Sequence, residues 1–390
     1  MKTLSHSAKT ELSDVFARFS KDYRAKNKIN LQQSKTLFAI ENCRTSVLGG
    51  HIDKCESCDY LRISYNSCRN RHCPKCQKLD KEIWVDKLSS SMLPVRYFHM
   101  VFTIPNHLNR ICLVNQKCMY DILFKAASKT ILQLSSDKNN LGATTGIVAV
   151  LHTWGQNLMD HPHLHTMIPA GGWSEFNGYW KSSKKKFFLP VRMVSEVFRG
   201  KFLSLLKESF HNKDLKFIGE TELFGKPENF QKLISDLYKI NWVVFCKKPF
   251  RNSSAIINYL GRYSHKVAIS NERIIKTEND SVFFKWKDYK EKGKHKIMSL
   301  SSNEFIRRFL LHVLPSGFFK IRYFGLFASR NKKLLLAKCK KAMGIADKKS
   351  IYQGLSKMQI LKIVSGIDPE ICPCCKNGKM KPVTNLKFPP

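Results

Sequence analysis

The stretch "GIVAVLHTWGQNLMDHPHLHTMI" (146–168) joins an apolar run to three closely spaced histidines. Its first part, residues 146–154, is apolar and β-branched enough to predict a buried strand. Where strand character resumes at "HLHTMI", side chains alternate, so His163 and His165 point to one face and Leu164 to the other. Two imidazoles aimed the same way from a rigid element make half of a metal site. The same pattern also fits polar surface on an ordinary strand, and the motif alone leaves both readings open.

The chain has 390 residues, a length that predicts two or three domains and ample core. Lys and Arg number 67 against 30 Asp and Glu, a formal charge of +37. Such an excess opposes compaction by self-repulsion, and the usual reason to carry it is a polyanionic partner. Nucleic acid is favoured over membrane, because the chain lacks a long apolar run and an isolated amphipathic anchor. The N-terminus "MKTLSHSAKTELSD" has no apolar segment of the secretory type, so a cytoplasmic protein is expected. Thirteen cysteines in that compartment point to metal ligands or inert thiols, not disulfides.

Outward from the histidines, helical and strand patterns mix without a regular alternation, which predicts an α+β fold. The expected organisation is an N-terminal helix and zinc-binding domain over 1–80, a catalytic domain over 81–300, and a mostly helical, basic C-terminal region over 301–390. Within it, "VAISNERIIKT" and "SVFFKWKD" flank the turn "ENDS" as a hairpin, and "KIMSL" offers a third strand. Ser301-x-x-Glu304 reads as the cap of a helix that Pro315 ends.

Six cysteines and two histidines crowd into residues 43–76. Cys55-x2-Cys58 and Cys73-x2-Cys76 have the spacing of a four-thiolate structural zinc site, closed and without an open coordination position. Cys43, His51, Cys68 and His72 interleave with them, so a second, cross-braced zinc is geometrically allowed; packing or contact with bases is the alternative. Arg69 and Arg71, set between these ligands in "CRNRHCPK", are candidates for phosphate contacts. Cys372-x2-Cys375 is a half-site lacking an obvious second pair, with Cys339 as one contributor to consider.

"NYLGRYSHK" carries Tyr259 and Tyr263 four residues apart, on one face if helical, with Arg262 and Lys266 close to the same stripe. That places two phenols beside two cations; ordinary core packing of a tyrosine pair is the competing reading. Arg307 and Arg308 in "FIRRFLLHVLP" are DNA-backbone candidates or members of a solvated basic face. The strings "CRTSVLGGH", "YNSCRNRHCPKCQ", "HTWGQNLMDHPHLH", "INYLGRYSHKVAIS" and "FIRRFLLHVLPSGFFKIRYFG", spanning roughly residues 36–328, resemble those of the IS91 family of insertion-sequence transposases. Within them His163-Leu164-His165 is similar to the His-hydrophobe-His motif of the HUH endonucleases.

The resemblance implies an HUH-type mixed or antiparallel sheet flanked by helices, and a rolling-circle-type transposase of the two-tyrosine class. Such an enzyme nicks and rejoins single-stranded DNA through a covalent phosphotyrosine on Tyr259 or Tyr263. His163 and His165 would hold Mg²⁺ or Mn²⁺, and Gln156 is the expected third ligand, with His161 and His152 as alternatives. Zn²⁺ would be structural. Ser264 and Lys266 stand where relatives often carry Thr and Arg, and the resemblance assigns no role to the C-terminal cysteines. The rival functions are a plasmid replication initiator or relaxase, which would share the histidines and a tyrosine, and a non-catalytic zinc DNA-binding regulator.

Overall fold

A computed structural model describes residues 10–183, 189–250, 261, 267–288 and 291–386. Among these the elements are α1 (Leu12–Lys26), α2 (Leu31–Glu41), β1 (Gly50–Cys55), β2 (Leu61–Tyr65), α3 (Gln77–Ser91), β3 (Tyr97–Thr103), α4 (Asn109–Val114), α5 (Gln116–Ser136), β4 (Gly146–Trp154), β5 (Asp160–Pro169), β6 (Gly171–Ser174) and β7 (Tyr179–Ser182). They continue with α6 (Val191–His211), α7 (Pro227–Lys239), β8 (Val244–Phe250), β9 (Ile274–Glu278), β10 (Ser281–Asp288), β11 (Lys294–Ser301), α8 (Ser302–Leu311), β12 (Ile321–Gly325), α9 (Lys332–Ala342), α10 (Lys357–Ser365) and β13 (Met380–Leu386). The fold is α+β with antiparallel sheets.

The histidine-bearing stretch forms the middle of a five-stranded sheet ordered β12-β4-β5-β3-β8, with every neighbouring pair antiparallel. Because side chains alternate along each strand, the two faces differ. Phe98, Met100 and Phe102 of β3, Ile147, Ala149 and Leu151 of β4, and Leu164 and Ile168 of β5 share a core with α4, α5, α6 and α7. Val148, Met167 and Tyr97 point the other way and pack with Leu88 of α3 and with Leu336 and Cys339 of α9. The C-terminal region is thus not only helical: its β12 forms one edge of the central sheet.

A second core joins distant parts of the chain. Leu12, Val15, Phe16 and Phe19 of α1 pack with Phe305, Ile306, Phe309 and Leu310 of α8 and with Val282 and Phe284 of the three-stranded sheet β9-β10-β11. Phe16 and Phe309 meet edge to face, ring centroids 5.1 Å apart. The boundaries expected at 80 and 300 therefore both cross a shared core. The hairpin and third strand read from "ENDS" and "KIMSL" form as β9, β10 and β11, with Asn279 at φ 50° in the turn. Ser301 caps α8 by accepting from the Glu304 N–H at 3.3 Å, and the helix ends at His312, before Pro315.

One polar group on the helix-covered face is out of keeping with its surroundings. Asp160, in phase with Leu164, lies beside Cys112 and Tyr120, and both carboxylate oxygens are buried without a hydrogen-bond partner among the described residues. Burial pushes the carboxyl up to about 7, whereas an unfolded Asp titrates near 4. The folded state then holds the proton more tightly between those values, so this group's contribution is favourable at low pH and is lost as pH rises through about 7. Asp160→Asn should flatten the pH dependence of stability between about pH 4 and 7 and raise stability at pH 8 by roughly 1–3 kcal/mol. Urea denaturation across that range checks it; an unchanged slope would contradict the assignment.

Candidate functional site

The site is set by strand register. The short turn between β4 and β5 places His152 directly opposite His163 and Val150 opposite His165, and residues facing each other across an antiparallel pair share a face. His152, His163 and His165 thereby form a group in which one ring nitrogen from each lies within 4.8 Å of the other two. The group lies on the sheet face that packs against α3 and α9, opposite the large helical core. His152 and His165 are buried, and His163 is half-buried.

Hydrogen bonds fix two of the rings. The Nδ1–H of His163 donates to the carbonyl of His161 at 2.6 Å, which leaves Nε2 as the lone-pair nitrogen. Nδ1 of His165 is 2.8 Å from Nε2 of His99 on β3, and burial together with Lys247 lowers the His99 pKa to about 4, so that ring is neutral. A ligand imidazole held through its other nitrogen in this way presents Nε2 to a cation in a set orientation. Trp154 stacks on His152 at 4.8 Å between centroids. Three convergent imidazoles suit a divalent transition ion or Zn²⁺ and leave coordination positions open.

The turn that sets this register is tied down from three directions. Arg273 donates to the carbonyl of Gln156, Arg308 to that of Asn157 at 3.0 Å, and the Nε2–H of His312 to that of Leu158 at 3.0 Å. Leu158 itself sits at φ 62°. The hydroxyl of Thr153 donates to Nδ1 of His312 at 3.1 Å, and burial lowers that imidazole to about 4, so it acts as a neutral strut. Gln156, the expected third ligand, thus lies in the turn beyond β4, while His152 stands in the imidazole group. Turn length alone, pairing Trp154 with Asp160, would set His152 opposite Pro162; a one-residue register shift between His152 and Trp154 brings it opposite His163 instead.

The cysteines assemble differently from their spacing. Cys43, Cys68, Cys73 and Cys76 form one group, and Cys55 and Cys58 lie with Cys372 and Cys375. The reason is the β1–β2 hairpin. Cys55 and Cys58 sit at its tip, while Cys43 precedes its base and Cys68 follows it, so β1 holds the pairs roughly 17 Å apart at about 3.3 Å per residue. The expected grouping of Cys55 and Cys58 with Cys73 and Cys76 is corrected accordingly, as is the second set with His51 and His72. His51 lies 3.5 Å from Asp53. His72 is half-buried, its pKa lowered to about 3 chiefly by desolvation, and its Nε2 accepts from the Leu314 N–H at 3.4 Å.

In the first group Sγ–Sγ separations are 3.6 Å for Cys43–Cys76 and 3.7 Å for Cys68–Cys76. A tetrahedral ion with Zn–S bonds of about 2.3 Å sets its sulfurs about 3.8 Å apart, so the donors fit a structural zinc without rearrangement. Cys76 is also the N-cap of α3. The zinc loop thereby fixes the start of the helix that packs on the imidazole-bearing face.

The cations divide by role. Arg71 donates to the carbonyls of Pro315 and Phe318 and so braces the zinc loop against the turn after α8. Arg307 pairs with Glu304 at 2.6 and 2.9 Å, and Arg308 with Glu304 at 2.6 Å besides its bond to the β4–β5 turn. Arg71 and Arg308 are thus tied to backbone carbonyls of distant segments, and Arg69 is exposed. Tyr259, Tyr263, Arg262 and Lys266 lie outside the described residues. Gly261 between them is buried, and a Cβ there would come within 2.6 Å of Val85 on α3.

Cys73→Ser should remove one tightly held zinc per chain and unfold the loop before α3, since such an ion contributes roughly 10 kcal/mol or more to the fold it organises. Metal analysis with thermal denaturation checks this, and full zinc retention would contradict it.

Comparisons with known proteins agree with this architecture. Residues 146–334 match a family model described as "Putative transposase", and residues 15–104 match one described as "Transposase zinc-binding domain". The chain is 40% identical over 373 residues to "Putative transposase y4qJ" of Sinorhizobium fredii, covering 95% of this chain and 94% of that protein. It is 26% identical over 347 residues to "Transposase for insertion sequence element IS801" of Pseudomonas savastanoi pv. phaseolicola, covering 87% of this chain and 81% of that protein. With a 40% identical relative matched over 95% of the chain and both domain models in place, the chain belongs to the IS91 family of insertion-sequence transposases.

Proposed function

We propose that this transposase nicks and rejoins single-stranded DNA by transesterification, with Tyr259 and Tyr263 as nucleophiles and His152, His163 and His165 as holders of a divalent cation. The observation that carries the reading is the convergence of three imidazoles on the sheet face against which α3 packs, with Gly261, two residues from each tyrosine, seated on α3 at Val85. His152 takes the place first expected for Gln156. A bound Mg²⁺ or Mn²⁺ would supply Lewis-acid polarisation of the scissile phosphate.

The residues of the chain do the rest. A phenol, with an ordinary pKa near 10, gives up its proton as its oxygen attacks phosphorus. The P–O bond to the leaving sugar oxygen breaks, that oxygen takes up a proton, and a phosphotyrosine remains. The energy of the diester is kept, so the reverse attack by a sugar hydroxyl rejoins the strand without ATP. Arg262 and Lys266 stabilise the phenolate and the phosphate charge. Two phenols permit two linked exchanges, one on the donor strand and one on the incoming strand. His99 orients His165. Arg69, exposed on the zinc loop, meets the DNA backbone, and the large net positive charge draws in the strand. No helix among the described residues is long and apolar enough to cross a membrane, and we place the protein in the cytoplasm with its DNA.

Purified protein incubated with Mn²⁺ and single-stranded DNA from the ends of its own element should form an SDS-resistant adduct. Tyr259→Phe with Tyr263→Phe should abolish it, as should His163→Ala, with zinc content unchanged. An undiminished adduct in either variant would overturn the proposal, and no adduct from the native protein would favour a DNA-binding regulator. His99→Ala should raise the Mn²⁺ concentration needed for half-maximal adduct by roughly 10–100-fold while leaving DNA binding intact; an unchanged Mn²⁺ requirement would contradict the positioning role.

A further inference from the structure

Cys55 and Cys58 at the tip of the β1–β2 hairpin meet Cys372 and Cys375, more than 300 residues later in the chain. Sγ–Sγ distances are 3.7 Å for Cys55–Cys375 and 3.7 Å for Cys58–Cys372, again close to the edge of a ZnS₄ tetrahedron. Both pairs adopt the same local geometry. Each Cys-x2-Cys is followed by a residue in the left-handed region, Asp59 at φ 58° and Lys376 at φ 62°, which curls the backbone back over the sulfurs. Backbone N–H groups then point at three of them: Ser57 to Cys55 at 3.4 Å, Cys374 to Cys372 at 3.4 Å and Gly378 to Cys375 at 3.3 Å. Such donors favour thiolate over thiol. Gly378 is required by the approach itself, because a Cβ there would collide with Cys55 Sγ and Ser57.

What surrounds the four sulfurs is thin. The local cluster of buried apolar residues consists of Cys55, Cys372 and Met380, with Cys375 half-buried against it. Yet this region carries β13, which pairs antiparallel along the whole of β1 and makes the third strand of the β13-β1-β2 sheet. Glu56 also donates its N–H to the carbonyl of Lys379 at 3.0 Å. A cluster of that size is too small to hold a strand from the far end of the chain by burial alone. We propose that Cys55, Cys58, Cys372 and Cys375 bind a second structural Zn²⁺, distinct from the ion of the Cys43 group, and that this ion clasps the C-terminal strand onto the N-terminal hairpin. The zinc module is then completed by residues 372–386. Its outer edge is covered by β13 only while the clasp is closed.

The native full-length protein should carry two thiolate-bound zinc ions per chain. Cys372→Ser with Cys375→Ser should carry one, as should Cys55→Ser alone. Combining Cys55→Ser with Cys372→Ser should also leave one, because both residues serve the same ion. Limited proteolysis of these variants should cut within 366–386 while α1 and α8 stay protected, which separates loss of the clasp from general unfolding. One zinc in the native protein, two in the Cys372/Cys375 variant, or unchanged protection of the tail would each overturn the proposal.

Discussion

The antiparallel register of β4 on β5 is the constraint on which the site depends. Side-chain direction in a strand has a period of two, so a slip of one residue would turn His152 away from His163 and His165. The protein guards against that slip at the turn, where Arg273, Arg308 and His312 each hold one of three successive carbonyls. These ties come from α8 and from the segment leading into β9, elements that also pack on the N-terminal helices. A pair of arginines that looks like DNA-binding surface in the sequence therefore includes one member that fixes the frame of the imidazole group.

The zinc sites extend the same logic to the chain's ends. The Cys43 group caps α3, and α3 is the layer that touches both the imidazole-bearing face and Gly261. Arg71, reaching from the zinc loop to the carbonyls of Pro315 and Phe318, links that group to the segment following α8. A cluster that does no chemistry of its own is thus mechanically close to the place where chemistry is proposed. A rigid frame of this kind matters for phosphoryl transfer, where positioning and charge neutralisation supply most of the catalysis.

Legibility in the sequence followed the range of the interactions. Features set within a few residues were readable: the strand at 146–154, the common direction of His163 and His165, the hairpin around "ENDS", the Ser301 cap and the Cys-x2-Cys turns. Those set by long-range pairing were not. Spacing groups Cys55 and Cys58 with the nearest second pair, but the length of β1 carries them away from it and toward Cys372 and Cys375 beside β13. Arg71 and Arg308 read as exposed cations because their carbonyl partners lie more than 100 residues away in sequence. His99 gave no local signal, since only the β3–β5 pairing brings it to His165. His152 is readable only as one alternative to Gln156, because the register shift between His152 and Trp154 that aligns it with His163 leaves no mark in the sequence.

Pulsed electron paramagnetic resonance of Mn²⁺ bound to the full-length, zinc-loaded protein tests the central claim most directly. The arrangement of His152, His163 and His165 predicts nitrogen couplings from three imidazoles to a single Mn²⁺, reduced to two in His152→Ala. An ion that binds without nitrogen coupling, or one whose spectrum is unmoved by that substitution, would contradict the account.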